Sequence, residues 1–494
     1  LGNLQRGVFP FLAPAMEEER EQPQAKISPS RPSGIALLRA RESVAGGRSR
    51  WTPKRLTDFH RGSLDMVRRL ECHAKHEWHD GCVNTVCWTD DGRHIISGSD
   101  DTHICIGEWS STAKSKPFRY DSGHRLNVFQ ARPLPFSNNK NIVTCGADGE
   151  VRVAHLPEGG GRDGLCTRHL GQHGGRAHKL ATIPSDADTF LSCGEDGVVL
   201  SVDTRDTRAT SPVLRVREVR RPPEGEGGLP STAAGGGRKI GLNSIALNPS
   251  VEQEFCVAGD DSMVRVFDRR KLGQPVRLLY PGTASRSRHI TCATYSYDGA
   301  EIVATYSEDA IYLFANREGS VPGEYVRKYE GHLNERTVKG VNVFGPRSEF
   351  VVSGSDCGNL FFWDKATGDA VQMLHGDRDV VNCLEPHPHL PVLATSGIDS
   401  DVKVWAPTRE EPEGGDKFAQ RLERQAKTNH HSVRASRRVQ MLQTSMEQMA
   451  QEGGFAVSFE TLFRAFMGAR AVDDEEEEAM DESDDDDDDE EEEE

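Results

Sequence analysis

The sequence predicts an all-β fold of seven consecutive repeats, and the recurrence of one pattern indicates it. Between residues 79 and 407, a strand-like segment ending in a Gly/Ser-rich run, a tight turn and a second strand-like segment recur seven times. The second segments end at Gly107, Ala154, Val202, Phe267, Phe314, Trp363 and Trp405, which we call the register positions. The intervals between consecutive register positions are 47, 48, 65, 47, 49 and 42 residues. Periods of roughly 40–45 residues with four short strands each are typical of β-propeller blades. We therefore predict a seven-bladed β-propeller over residues 79–407.

The remaining strands of each repeat are predicted from short runs of apolar and β-branched residues. Examples are VNTVCW (83–88) and ITCATY (290–295), which are followed by the turn sequences TDDG and SYDG. The 65-residue interval contains a Pro/Gly-rich stretch at about 217–238. Because such a stretch buries too little apolar area to offset the entropy of ordering it, we predict a mobile insertion between the third and fourth blades.

The segments outside the repeats have different compositions. Residues 1–55 lack sustained periodicity and are predicted to be disordered, whereas 56–78 is compatible with a helix or with a strand that closes the propeller. Residues 408–472 favour short helices, one of them at 458–467, whose apolar face either packs on the propeller or docks in a groove of a partner. Residues 473–494 form an acidic tail that we predict to be disordered.

Charge is distributed unevenly along the chain. The formal net charge is −18, and the tail at 473–494 contains 19 Asp or Glu residues; without them, residues 1–472 carry a charge of +1. The nearly neutral body argues against nucleic-acid binding. Eleven cysteines without a Cys-x-x-Cys pair indicate a reducing compartment, with cysteine acting as a small buried hydrophobe. No run approaches the roughly 18–20 apolar residues of a membrane span, so we expect a soluble protein; the initial Leu1 leaves upstream targeting open.

Signatures of catalysis and cofactor binding were sought in the sequence. It contains no Gly-x-Ser-x-Gly elbow, no phosphate-binding Gly-x-x-x-x-Gly-Lys-Ser/Thr loop and no His-Glu-x-x-His zinc helix. His387 and His389 suggest a metal site, but they lack further ligands at zinc-binding offsets. We therefore expect a non-catalytic protein without a cofactor or a metal, and a turn at these two histidines.

The repeats resemble WD repeats. In that family a Gly-His before the first strand, an Asp in the tight turn and a Trp on the next strand form one hydrogen-bonded set, since a buried carboxylate requires donors. The resemblance implies a structural role for His79, Asp101, His124, Asp148, Asp196, Asp261, His332, Trp363, Asp399 and Trp405. The sets are degenerate, because Cys357 replaces Asp in the sixth repeat and Gly107 replaces Trp in the first, with Trp109 close by.

Two repeats end differently from the others. Asp203 and Asp268 each follow the register position directly, and Arg205 and Arg270 stand two residues later. These ends resemble the Trp-Asp-x-Arg box of substrate receptors of cullin-four RING ubiquitin ligases, with Val202 and Phe267 in place of tryptophan. We expect Asp to hold the turn and Arg to project a planar guanidinium from one face, where it is a favoured interface anchor.

The wider sequence of residues 79–408 strengthens this resemblance. The segments SGHRLNVFQAR, TVKGVNVFGPRSEFVVSGSDCGNLFFW and VVNCLEPHPHLPVLATSGIDSDVKVWAPT are similar to receptors of the cullin-four-associated factor eight type. The resemblance implies binding to the damage-specific DNA-binding-protein adaptor through the two boxes and through a helical segment ahead of the propeller, for which 56–70 is the candidate. It also implies a role in ubiquitination without bond-making groups, and a location in the nucleus and the cytoplasm. A second hypothesis is a nuclear scaffold or histone-binding propeller that uses its acidic tail.

Overall fold

The computed structural model describes residues 57–451 apart from 59, 111–115, 158–163, 207–210, 219–236 and 283–287. Its described part contains seven four-stranded antiparallel sheets, which confirms the predicted seven-bladed propeller. The chain divides into two compact units, residues Leu1–Arg424 with the propeller and residues Gln425–Glu494. Each register position identified in the sequence lies in the third strand of its blade.

Each of the first six blades uses four consecutive strands. Blades one to three comprise β2 (Val83–Trp88), β3 (His94–Ser99), β4 (His103–Glu108), β5 (Phe118–Asp121), β6 (Val128–Pro133), β7 (Asn141–Gly146), β8 (Glu150–His155), β9 (Cys166–Gln172), β10 (Ala177–Thr182), β11 (Thr189–Gly194), β12 (Val198–Asp203) and β13 (Ser211–Arg215). Blades four to six comprise β14 (Leu242–Leu247), β15 (Glu254–Gly259), β16 (Val264–Asp268), β17 (Arg277–Leu279), β18 (Ile290–Tyr295), β19 (Glu301–Tyr306), β20 (Ile311–Ala315), β21 (Arg327–Tyr329), β22 (Val341–Phe344), β23 (Phe350–Gly354), β24 (Asn359–Asp364) and β25 (Ala370–His375).

The seventh blade closes the ring by joining the two ends of the repeat region. It consists of β26 (Val381–Pro386), β27 (Leu393–Gly397) and β28 (Asp401–Ala406), with β1 (Glu71–Glu77) as its outer strand. β1 runs antiparallel to β28, and Glu71 faces Ala406. A short helix, α1 (Leu64–Arg68), precedes β1 and is capped by Ser63. Residues 56–78 thus contain both a helix and the closing strand, the two structures that the sequence left open.

The core lies between neighbouring sheets. Strands such as β11 and β15 are buried on both faces apart from their first residue, because each sheet is covered by a blade on either side. Cys105, Cys145, Cys193, Cys256 and Cys292 are buried as predicted, and all eleven cysteines are free. The blades therefore hold together chiefly by strand pairing and apolar packing.

Beyond the propeller the chain forms a helix, α2 (Asp416–Gln451), which is longer than the short helices expected after residue 408. No helix in the described part of the chain is long and apolar enough to cross a membrane. The insertion lies between β13 and β14 as predicted, and Glu218 N donates to Arg238 O at its base (2.8 Å). The predictions of disorder at 1–55 and 473–494, of mobility within 219–236 and of a helix at 458–467 concern residues outside the described ones.

Candidate functional site

The antiparallel blades give the propeller two faces with different loops. One face carries the loops from the first to the second strand and from the third to the fourth strand of each blade; we call it the exit face. The opposite face carries the remaining loops, including those with the repeat residues of the sequence pattern. The two faces therefore separate the two groups of residues that the sequence singled out.

The first box lies where β12 leaves the third blade on the exit face. The Arg205 side chain turns back onto Asp203, with Nε at 3.0 Å from Oδ1 and Nη2 at 2.7 Å from Oδ2. The backbone N–H of Arg205 also donates to Asp203 Oδ1 (2.9 Å), so the carboxylate holds the turn. These hydrogen bonds lower the pKa of Asp203. The Arg205 side chain is 68 % exposed, and its Nη1 lies 3.6 Å from Asp188 Oδ2.

The second box, at the end of β16, repeats this geometry in the fourth blade. Arg270 Nε lies 3.0 Å from Asp268 Oδ1, Nη2 lies 2.7 Å from Oδ2, and the Arg270 N–H donates to Oδ1 (2.9 Å). The hydrogen bond from the guanidinium lowers the pKa of Asp268 to about 2. Arg270 is 69 % exposed. A planar fork held by its own carboxylate leaves its flat faces available to a partner, although Nη1 of Arg205 also lies 3.6 Å from Asp188 Oδ2.

The two boxes occupy equivalent positions of adjacent blades. Asp203 faces Thr189 at the end of the β11–β12 pair, and Asp268 faces Glu254 at the same place in the β15–β16 pair. Both arginines follow the third strand of their blade, so both emerge on the exit face. The structure therefore meets the geometric requirement for a shared docking surface, since neither guanidinium is buried and the two do not point to opposite faces.

Helix α1 lies at the edge of the same face. It directly precedes β1, whose first residue faces Ala406 at the exit end of β28. Val67 and Leu70 are buried in the apolar cluster between the sixth and seventh blades. The backbone carbonyl of Arg69 also accepts a hydrogen bond from Arg409 N (3.2 Å). The segment before the propeller is thus anchored beside the surface that carries the boxes.

On the opposite face, three blades carry a complete histidine–aspartate set. His79 Nδ1 lies 3.0 Å from Asp101, and His124 Nδ1 lies 3.0 Å from Asp148. Asp196 pairs in the same way with His173 (3.0 Å), a residue that sequence reasoning missed. In each set the other ring nitrogen bonds a serine or threonine of the second strand: Ser97, Thr144 and Ser192. Burial opposes ionisation of Asp148, but the bond from His124 and backbone N–H donors hold its pKa at about 2.

The first blade supplies an indole ring from an unexpected position. A Cβ atom at Gly107 would lie only 2.4 Å from the Trp78 ring, so the ring lies directly over this glycine. Trp78 is 6 % exposed and stacks on His76 with ring centroids 4.7 Å apart. Trp109 does not take this place, because it packs near Trp88 at the exit end of the blade. The sequence position that lacks tryptophan is therefore compensated by a residue 29 positions earlier.

The other predicted repeat residues are held by different partners from those that the pattern implied. Asp261 binds Arg265, which is 1 % exposed, rather than a histidine (2.9 Å to Nη1). Asp399 lies 3.2 Å from Lys403, whose ammonium group also contacts Asp377 and Asp401.

In the seventh blade, Trp405 donates its indole N–H to Thr395 Oγ1 (2.8 Å) and so stays within its own sheet. Charged pairs thus replace the histidine–aspartate bond in the fourth and seventh blades.

The sixth blade departs furthest from the expected set. His332 packs edge-on against Trp363, with ring centroids 5.6 Å apart, but its Nε2 lies 3.4 Å from Thr305 of the fifth blade. The Trp363 indole donates to the carbonyl of Glu330 (2.9 Å). Asp356, one residue before Cys357, accepts the backbone N–H of Glu335 (2.6 Å) and forms a buried ion pair with Lys339. The carboxylate of this turn is therefore supplied by Asp356, one residue before the position at which the repeat pattern places it.

His387 and His389 lie in the turn between β26 and β27, as the sequence predicted. His387 Nε2 lies 2.8 Å from Gly92 O, and its Nδ1 accepts the backbone N–H of His389 (2.9 Å). His389 Nε2 lies 2.9 Å from Asp90 O. Both histidines therefore link the seventh blade to the first through the protein's own carbonyl groups.

One buried thiol has unusual chemistry. Lys179 Nζ of the third blade lies 2.9 Å from Cys292 Sγ of the fifth blade. Burial opposes ionisation, but the ammonium group lowers the pKa of Cys292 below its ordinary value. Because Cys292 is only 2 % exposed, this pair is out of reach of a macromolecular substrate.

Comparison with known proteins agrees with the fold and the repeat residues. The family described as WD domain, G-beta repeat matches residues 70–106, 323–364 and 368–406. Together with the seven sheets, this match shows a seven-bladed β-propeller that contains WD repeats.

The chain is similar to DDB1- and CUL4-associated factor 6 of Homo sapiens and of Mus musculus. Each is 33 % identical over 320 residues, which cover 60 % of this chain and 34 % of the relative. Protein ALTERED SEED GERMINATION 2 of Arabidopsis thaliana is 27 % identical over 285 residues, or 51 % of this chain and 36 % of that protein. The chain thus spans about a third of the length of these relatives. The predicted resemblance to cullin-four-associated WD-repeat factors is confirmed.

Proposed function

We propose that this protein is a non-catalytic substrate receptor of a cullin-four RING ubiquitin ligase. Its exit face binds the damage-specific DNA-binding-protein adaptor, the DDB1 that the names of two relatives contain. Another surface holds the protein to be ubiquitinated. The observation that carries the proposal is the pair of identical Asp-x-Arg forks at the same position of two adjacent blades.

The forks suit recognition of a partner protein. Each arginine side chain is more than two-thirds exposed, while two nitrogens of its guanidinium are fixed by a carboxylate. Because the side chain is already ordered, less conformational entropy is lost when a partner binds it. Arginine is enriched among residues that dominate interface energies, since it combines hydrogen bonding with stacking on apolar surface. Arg205 and Arg270 therefore serve as anchors, and Asp203 and Asp268 as positioning residues.

The proposed mechanism is tethering. A receptor that binds adaptor and target together raises the effective concentration of the target lysine near the charged ubiquitin carrier. The bond-making groups belong to other subunits of the ligase. The propeller contributes a rigid separation between two binding surfaces, because its sheets pack on one another around a closed ring. We further propose that the receptor acts in the nucleus and the cytoplasm.

The proposal is tested by adaptor binding of the double variant Arg205→Ala, Arg270→Ala. If both side chains are interface hot spots, each truncation costs roughly 2–4 kcal/mol, or about 30- to 1000-fold in affinity. We expect loss of the adaptor in co-purification and in a binding titration with purified adaptor. The circular dichroism spectrum and the midpoint of thermal unfolding should stay as in the wild type, because both side chains are exposed.

Arg378→Ala is the matched control for this experiment. Arg378 is 88 % exposed and lies 3.0 Å from an aspartate, Asp399, but it belongs to a loop of the opposite face. The variant Arg378→Ala should bind the adaptor with the affinity of the wild type. Normal adaptor binding by the double variant would refute the proposal. Deletion of 473–494 should leave adaptor binding intact; loss of binding on this deletion alone would instead favour a scaffold that acts through its acidic tail.

A further inference from the structure

We infer that the adaptor-binding surface extends to the fifth blade, with Arg317 and Tyr297 as additional contacts. This inference rests on the proposed function of the exit face. Arg317 follows β20 at the position that Arg205 and Arg270 occupy after β12 and β16. The three arginines therefore occupy equivalent positions in three consecutive blades. The sequence pattern identified only two of them, Arg205 and Arg270.

The equivalence of Arg317 follows from strand register. Ala315 is the last residue of β20 and faces Glu301, just as Asp268 is the last residue of β16 and faces Glu254. Arg317 stands two residues after Ala315, the spacing between Asp268 and Arg270. It is exposed on the same face. The box was missed in the sequence because alanine stands where the aspartate is expected.

Other groups hold the turn in the absence of this aspartate. The Ser320 hydroxyl lies 2.7 Å from the Ala315 carbonyl and 2.9 Å from the Arg317 carbonyl. Asn316 donates to Gly299 O (2.8 Å) and accepts from Arg277 Nε of the fourth blade (2.7 Å). The backbone that carries Arg317 is thus fixed to its own blade and to the neighbouring one.

The Arg317 side chain itself differs from the two forks. Among the described residues, its guanidinium has no hydrogen-bond or ion-pair partner. An arginine without a fixed carboxylate retains more rotamer freedom and loses more entropy on binding. We therefore expect Arg317 to contribute less to affinity than Arg205 or Arg270.

Exposed apolar side chains are concentrated around this position. Ten large apolar side chains are exposed in the described part of the chain, and seven of them lie in exit-face loops. Five of the seven belong to the fourth and fifth blades: Val251, Val276, Tyr297, Val321 and Val326. Tyr297 is the only aromatic residue among the five and is 53 % exposed, although its backbone N–H is fixed by Ser348 Oγ (2.9 Å).

A patch of exposed apolar groups next to arginines is typical of a protein interface. These apolar residues lie in exit-face loops of the two blades that carry Arg270 and Arg317, whereas no exposed large apolar residue belongs to the described part of the third blade. One partner that covers both forks with a standard interface of about 800 Å² per side reaches this neighbouring region. The adaptor is therefore the occupant to which the inference commits.

The test measures the affinity of purified full-length variants for purified adaptor by biolayer interferometry. Arg317→Ala and Tyr297→Ala should each weaken binding by about 3- to 10-fold, the range of a contact beside rather than within a hot-spot centre. Arg378→Ala, on the opposite face, should bind like the wild type. Thermal unfolding verifies that each variant is folded.

The second measurement tests whether the variant Ala315→Asp binds the adaptor more tightly than the wild type. The new carboxylate recreates the Asp-x-Arg fork, and its pairing opposite Glu301 has a precedent in Asp268 opposite Glu254. Fixing Arg317 should tighten binding by about 2- to 10-fold. The gain should vanish when Ala315→Asp is combined with Arg317→Ala.

The outcomes separate this inference from the proposed function. If the double variant Arg205→Ala, Arg270→Ala loses the adaptor but Arg317→Ala, Tyr297→Ala and Ala315→Asp all bind like the wild type, the extension to the fifth blade is wrong and the proposed function stands. If the double variant binds normally, the proposed function is wrong and the extension fails with it.

Discussion

The two aspartates of the forks allow a sharp test of how the exit face binds its partner. In the structure each carboxylate fixes Nε and Nη2 of its arginine and the backbone N–H of the same residue. The double variant Asp203→Ala, Asp268→Ala removes these acceptors and leaves both arginines in place. It therefore separates the positioning of the guanidinium from the contact that the guanidinium makes.

The size of the effect follows from side-chain entropy. Immobilising a rotamer-rich side chain at an interface costs about 0.5–1.5 kcal/mol, and the fork has already met that cost in the free protein. Each aspartate should thus contribute about 2- to 12-fold in affinity, and the pair roughly 5- to 150-fold if the two add. Removal of both arginines should cost far more. Folding should change little, since exposed ion pairs contribute about 0–1 kcal/mol.

The assay is a titration of purified adaptor against the wild type, the aspartate variant and the arginine variant at two salt concentrations. Asp203→Asn with Asp268→Asn is the matched control, because an amide oxygen still accepts the turn N–H but carries no charge. Its affinity should lie between the wild type and the alanine variant. Equal affinities of the alanine variant and the wild type would refute the positioning role. A loss as large as that of the arginine variant would show that the carboxylates contact the partner directly.

Two further predictions concern the folded state. Burial and the charge of Lys339 lower the pKa of His332 to about 4, whereas an unfolded histidine titrates near 6.5. Between pH 6.5 and 4 only the unfolded state gains this proton, so acidification should reduce the free energy of unfolding by up to about 3 kcal/mol. In urea denaturation at pH 7 and pH 4.5, His332→Gln should lack this part of the loss; an unchanged pH dependence would contradict the assignment. Trp78→Ala should lower the free energy of unfolding by about 3–5 kcal/mol, because it removes the ring that covers Gly107. Trp109→Ala, a half-buried tryptophan of the same blade, should cost less, and equal losses would argue against the special place of Trp78.

The fold was predictable because its information is local and repeated. A turn, a Gly/Ser-rich strand end and an aromatic strand recur in each blade, so all seven register positions were placed in the correct strand. The closing strand was not decided from sequence, because β1 pairs with β28 over a separation of more than 300 residues. A short, largely polar segment such as β1 (ECHAKHE) carries no local sign of a partner so far away in the chain.

Residue positions that follow from strand register were predictable. The partners of the turn carboxylates were not, where a basic side chain from another position takes the place of the expected histidine. The positions of Asp203 and Asp268 at the ends of β12 and β16 were predictable, because each directly follows a register position of the repeat; their role in binding stays a prediction. His173 was missed, since it follows glutamine and lacks the Gly-His signature of its repeat. Arg265 and Lys403 were also missed, because nothing in a strand sequence indicates that a basic side chain returns to a nearby turn carboxylate. Which basic side chain pairs with a turn carboxylate depends on how the strands pack in three dimensions.

The division between the two faces also separates stability from recognition. Trp78 and His332 are buried on the side of the repeat sets, away from the exit face, so changes at either residue should alter the free energy of unfolding and leave the adaptor affinity of folded protein unchanged. Changes at Arg205 or Arg270 should do the reverse. If the adaptor covers the exit face, the loops of the opposite face remain open to a target protein. Their exposed arginines, such as Arg176 and Arg336, are 61 % accessible and lie near acidic partners at 3.8 and 2.8 Å. Under the proposed function, we expect target specificity to reside in these loops.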